Sequence, residues 1–128
     1  MNHEQKQKAL ITGITGQDGY YLAQLLLEKG YEVHGIARRN GRNILGTLES
    51  LSEADRTRLV IHWGDVTDAS FIDEVIRKYQ FSEIYHLAAQ SFVPQSFTNP
   101  RFTYDVNIGG TLHIVNAVRD HSPQTKMY

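Results

Sequence analysis

The chain has 128 residues, 41% hydrophobic and 21% charged, with a formal net charge of −1. That suits one ordinary soluble domain with room for a core, and it gives no electrostatic reason to expect nucleic acid or an anionic membrane as a partner. There is no cysteine, which excludes disulfides, zinc–thiolate sites and thiol nucleophiles, and no apolar run approaches membrane-spanning length.

Residues 1–8 are polar and lack a signal-peptide apolar segment, so they read as a loose tail, with a cytoplasmic location expected. Residues 9–128 form the domain. Ala9–Thr12 reads as a buried strand, and Gly13, Gly16 and Gly19 follow it at three-residue spacing. Helix one spans about Asp18 to Lys29, with Leu22, Leu25 and Leu26 at core spacing and Gly30 as its C′ residue. Strand two is Tyr31–Ala37, anchored by Val33 and Ile36. Arg38, Arg39 and a loop over Asn40–Gly46 come next. Leu48, Leu51 and Ala54 suggest one short helix, and Leu59–Trp63 is strand three.

Thr67 or Asp68 caps the next helix, whose Ile72, Val75, Ile76 and Tyr79 share one face. Glu83–Leu87 is strand four, with a small polar exit over Ala88, Ala89, Gln90 and Ser91. Asn99-Pro100 marks a long helix to about Asp120, with Ile108, Leu112, Val115 and Val118 expected inward. Gly109-Gly110 inside it costs about 1 kcal/mol per residue relative to Ala, which suggests close approach to sheet or cofactor. Lys126–Tyr128 begins a fifth strand. Strands alternating with helices predict an α/β fold, a doubly wound parallel sheet of order 3-2-1-4 with strand five at the far side.

A strand that ends on a glycine turn and feeds a helix gathers backbone N–H groups and a helix N-terminus at one point, a site for phosphate. The context fits a dinucleotide fingerprint: strand before, helix after, and a second strand ending about 20 residues on. The spacing Gly13-x-x-Gly16-x-x-Gly19 departs from the tighter G-x-G-x-x-G form, and a glycine turn with only a packing role is the alternative. The candidate cofactor residues here are Gly13, Ile14, Thr15, Gly16, Gln17, Asp18 and Gly19.

The end of strand two carries Arg38 and Arg39 where an NAD site wants a carboxylate. Guanidinium groups pair with a 2′-phosphate, which favours NADP, against the alternative of a solvated basic corner. Asp65, beside Val66 past strand three, is placed either for the adenine amino group or to cap the following turn. Leu87, Ala88, Ala89, Gln90 and Ser91 leave strand four beside the glycine turn. Their small side chains let backbone approach the pyrophosphate or nicotinamide ribose, or simply pack closely. The six histidines are scattered, with no His-x-x-x-His pair, so no metal site is expected.

These residues resemble those of the GDP-mannose 4,6-dehydratase family, among the extended short-chain dehydrogenase/reductases acting on nucleotide sugars. The resemblance is carried by Leu10–Gly19, Leu25–Gly35, Arg38-Arg39, Gly64-Asp65, Leu87–Ser91, Ser96-Phe97, Val106-Asn107 and Gly110-Thr111. It implies a Rossmann-type fold, bound NADP serving as hydride relay, GDP-mannose as substrate and a homo-oligomer. By the same resemblance Gly13–Asp18, the Arg38 region, Asp65-Val66 and Leu87–Ser91 line NADP. Phe102 stands where the family carries a cofactor-contacting tyrosine. The family's loop after strand two reaches a neighbouring subunit, and Asn40–Ser52 departs from its serine-rich pattern.

The family's catalytic Thr, Glu and Tyr-x-x-x-Lys lie beyond strand five. No tyrosine in this chain has lysine four residues later, so neither a catalytic residue nor the sugar-binding lobe is expected within these 128 residues. Two other functions remain open at this point: a related GDP-4-keto-6-deoxymannose reductase or other nucleotide-sugar epimerase or dehydratase, and a non-catalytic NADP-binding module.

Overall fold

The computed structural model describes residues 6–38, 46–88, 99–101 and 105–128. Five parallel strands lie in the order β3-β2-β1-β4-β5: β1 (Lys8–Thr12), β2 (Glu32–Ala37), β3 (Leu59–Trp63), β4 (Glu83–His86) and β5 (Lys126–Met127). The expected order holds, and β1 is central. Lys8, read from the sequence as tail, lies instead in β1, because its register with Glu32 and a hydrogen bond from Glu32 N–H to the Gln7 carbonyl extend the ladder backwards.

Both faces of the sheet are covered, which explains the near-continuous apolar runs of its inner strands. Ala9 and Ile11 point to one face and pack with Ala23, Leu26 and Leu27 of α1 (Gln17–Glu28), together with Leu48 of a 3-10 turn (Gly46–Ser50) and Leu51. Leu10 and Ile84 point to the other, against Ile72, Val75 and Ile76 of α3 (Ala69–Tyr79) and Ile114 and Ala117 of α4 (Gly110–His121). A four-residue α2 (Glu53–Arg56) precedes β3. Asp68 is the cap of α3, accepting from the Phe71 N–H at 3.2 Å. Gly30 ends α1 at φ +88° with its N–H on the Leu27 carbonyl, as a C′ residue should.

Three further expectations fail. Leu25 is 48% exposed; Ala23 and Leu27 fill the α1 core face in its place. The single short helix expected around Leu48, Leu51 and Ala54 is two pieces, a 3-10 turn and α2, with Ser52 as cap between them. The third concerns the long helix. Its described part is helical at 100–101, then forms a π turn (Asp105–Gly109) and then α4. The inward residues are Val106, Gly110, Ile114 and Ala117, while Ile108, Leu112 and Val115 are exposed and Val118 packs only at the core's margin. Gly110 decides this phase. A Cβ there would lie 2.9 Å from Val66 Cγ2, so only glycine lets the helix sit this close, whereas a Cβ on Gly109 would meet nothing within 4 Å.

Candidate functional site

All strands are parallel, so their carboxyl ends gather on one edge, and α1 and α4, the helices that follow β1 and β4, pack on opposite faces of the sheet. That parting is the switch point at which open α/β sheets form a crevice. Thr12 ends β1 in register with His86 of β4 and Ile36 of β2. Gly13 follows at φ +67°, a left-handed conformation costly for other residues, and a Cβ there would lie 2.9 Å from Ala88 N. Two requirements therefore coincide at Gly13: the turn's hand and the close passage of the β4 exit. Gly19 meets a spatial one, since a Cβ there would lie 2.7 Å from Ile14 Cα and from the Gly13 carbonyl oxygen.

Gly16 differs. Its φ is −75°, and the nearest atom to a Cβ would be the Gly13 oxygen at 3.4 Å, so neither backbone strain nor packing within the described residues demands glycine. It is the N-cap of α1, donates its N–H to the Gly13 carbonyl and supplies no side-chain cap. The first turn of α1 thus points N–H groups of Gln17, Asp18 and Gly19 toward the edge with the positive end of the helix dipole behind them. Ile14 is fully buried and anchors the turn, while Thr15 is exposed on it.

Arg38 and Asp65 flank this turn from the ends of β2 and β3. Arg38 Nε lies 3.3 Å from Asp65 Oδ2, with the Arg38 side chain 67% exposed. The other oxygen, Oδ1, accepts from the N–H and the hydroxyl of Thr67, both at 3.0 Å. Asp65 therefore organises the turn after β3 and pairs with Arg38. Val66 is buried beneath Gly110, and its carbonyl is 2.9 Å from His113 Nδ1.

Beside the turn, Leu87 and Ala88 lead out of β4, Leu87 exposed and Ala88 against the core. Ala88 N–H donates to Thr12 Oγ1 at 3.0 Å, and Thr12 Oγ1 is 2.7 Å from His86 Nδ1. Thr12 is fully buried and His86 partly so. Burial holds the His86 pKa below its ordinary value, so the ring is neutral near pH 7. The candidates Arg39, Ala89, Gln90, Ser91 and Phe102, and the Asn40–Gly46 loop apart from Gly46, lie outside the described residues. Among the described candidates the structure brings Gly13–Gly19, Arg38, Asp65, Leu87 and Ala88 to one sheet edge.

A second polar cluster was not foreseen from the scattered histidines. His34 Nδ1 is 2.9 Å from His62 Nε2, and His34 Nε2 is 2.7 Å from Glu32 Oε1, with Tyr79 and Phe81 rings packed around them. His34 is fully buried, and burial outweighs Glu32 to lower its pKa. Its bond to Glu32 is therefore a neutral N–H donated to a carboxylate. Burial, with His34 beside it, pushes His62 down to about 4.

The family model for GDP-mannose 4,6 dehydratase matches residues 10–128. The chain belongs to the GDP-mannose 4,6-dehydratase family. It is 46% identical over 129 residues to a GDP-mannose 4,6-dehydratase of Vibrio cholerae serotype O1, with 96% of this chain and 34% of that protein covered. It is 47% identical over 115 residues to the human GDP-mannose 4,6 dehydratase, covering 87% and 31%. The chain thus spans about a third of the length of these relatives. Among solved structures, the Bordetella bronchiseptica enzyme WbmH in complex with NAD+ superposes with a TM-score of 0.71 at 30% identity, over 91% of this chain and 36% of that one. A UDP-glucose 4-epimerase of Thermotoga maritima has the same fold, with a TM-score of 0.75 at 22% identity over 91% and 35%. A Rossmann-type sheet in a nucleotide-sugar enzyme family therefore agrees with the sequence reading. Among the described residues, no helix is long and apolar enough to cross a membrane.

Proposed function

We propose that this chain forms the NADP-holding part of a GDP-mannose 4,6-dehydratase, a lyase that converts GDP-mannose to its 4-keto-6-deoxy product. The observation that carries the reading is Gly16: neither its φ nor its immediate neighbours call for glycine, at the open N-terminus of α1 beside the switch point. A bare backbone there admits a pyrophosphate oxygen to the first-turn N–H groups. NADP, when bound, supplies the nicotinamide that takes hydride from hexose C4 and returns it at C6.

The chain's own residues bind and orient. Gly13 and Gly19 hold the turn, and the Gly16–Gly19 segment presents donors to the pyrophosphate. Arg38 would exchange Asp65 for the 2′-phosphate, and Arg39 is the second guanidinium candidate for it. The exposed Arg38–Asp65 pair contributes about 0–1 kcal/mol. A charge-assisted pair with a phosphate is stronger and offsets its loss. Asp65-Val66 would line the adenine side and Leu87-Ala88 the nicotinamide-ribose side. Proton relay at the C4 oxygen requires a Tyr–Lys pair that this sequence lacks, so these 128 residues hold cofactor without turning over GDP-mannose.

Calorimetric titration tests the reading. NADP is expected to bind more tightly than NAD, and Arg38→Ala to erase most of the difference. Equal binding of both, or of neither, overturns it. We further propose self-association through the β5 edge, a strand of two residues; light scattering should exceed the monomer mass, and a monomer at every concentration contradicts it.

A further inference from the structure

We propose that His86 is a positioning residue: by accepting the Thr12 hydroxyl proton it holds Ala88 against the glycine turn and so fixes the wall of the cofactor crevice. This rests on the proposed cofactor function for its effect on binding, though not for the clamp itself.

Ala88 N–H has one role, donor, and its acceptor is Thr12 Oγ1 at 3.0 Å. Thr12 has a single hydroxyl proton and is fully buried, so that proton needs an acceptor away from water. His86 Nδ1, at 2.7 Å, is the acceptor placed for it. The opposite assignment, Nδ1–H donating to Oγ1, would direct two donors at the oxygen and leave the buried hydroxyl proton without a partner. The ring proton therefore sits on Nε2, and the hydroxyl is locked with a lone pair aimed at Ala88 N–H.

The position makes the lock consequential. Thr12 immediately precedes Gly13, and a Cβ on Gly13 would lie 2.9 Å from the same Ala88 nitrogen. The β4 exit and the glycine turn are thus in van der Waals contact. Without an acceptor at His86, the Thr12 hydroxyl turns to find another, its lone pair leaves Ala88, and that contact loosens. The His86 backbone is itself anchored, since its amide N–H donates to the Tyr128 carbonyl at 2.9 Å, just past β5.

Three measurements judge this. In the unaltered chain, nitrogen NMR at pH 7 should find His86 Nδ1 unprotonated and Nε2 carrying the proton; a proton on Nδ1 overturns the proposal. His86→Leu should weaken NADP binding and speed Ala88 amide exchange, each about five- to tenfold, the loss of one buried hydrogen bond. His86→Asn, whose side-chain oxygen can reach the Nδ1 position, should restore most of both. In a Thr12→Val background, His86→Leu should add less than about twofold, because the two act through one bond. Failure of Asn to rescue, or additive losses in the double variant, would show that His86 acts by packing alone. If the unaltered chain binds no NADP, the cofactor reading and the affinity arm fall together, and the tautomer and exchange measurements still decide the clamp.

Discussion

Thr12–His86–Ala88 and Glu32–His34–His62 lie on the same face of the sheet, since His34 is the register partner of Leu10 and Thr12 lies two residues beyond Leu10 on β1. Both clusters are centred on histidine kept neutral by burial. The first ends at the carboxyl edge, where its last partner is a backbone amide of the crevice wall. The second is enclosed by Tyr79 and Phe81 and touches no candidate cofactor residue among its hydrogen-bond partners. Similar chemistry therefore stands in different places: one cluster reaches the edge of the proposed crevice, and the other is enclosed by aromatic rings in the core.

The largest expected effect breaks the packing beneath both. Ile114→Ala, on the buried face of α4, should cost about 2–5 kcal/mol in denaturant unfolding, whereas Leu112→Ala should stay within about 0.5 kcal/mol. The reverse order would return α4 to the phase expected from sequence. Gly13→Ala comes next. Left-handed strain of about 1–3 kcal/mol adds to the contact with Ala88, so stability and NADP binding should fall together. Gly30→Ala, at φ +88° with open space around it, should show strain of about 1–2 kcal/mol and leave NADP binding intact.

The enclosed cluster predicts a pH dependence. His34 and His62 have folded pKa values below the unfolded value of about 6.5. The unfolded chain then binds more protons, so their contribution is fully present above that value and is lost as pH falls toward about 4. His62→Gln should flatten this limb of the stability profile; an unchanged slope would remove His62 from the account. The smallest effect is Asp68→Ala, expected to cost about 1 kcal/mol through the α3 cap, with no change in NADP affinity.

Local rules made much of the fold legible in the sequence. The strand order came from alternation of elements, the α3 face from its i, i+3, i+4, i+7 apolar residues, and the glycine turn from spacing. Periodicity misplaces the α4 face because two apolar sets, Leu112 with Val115 and Ile114 with Ala117, each fit a helical repeat, and only packing chooses between them. Gly110 is the available clue, since glycine inside a helix suggests close approach. The role of Asp65 stays open in the sequence because a carboxylate after a strand suits a ligand and a turn equally, and the Thr67 distances show the turn role. The histidine clusters were illegible for another reason. They join residues 28 and 74 positions apart, and only strand register brings such residues together.

The central claim is that the carboxyl edge around the glycine turn holds the dinucleotide. Its most direct test is NADP titration monitored by backbone amide NMR. The amides of Gly13, Gly16, Gln17, Gly19 and Ala88 should shift, with those of His34 and His62 unmoved. Shifts centred on His34 and His62, or none at the turn under saturating NADP, would contradict it.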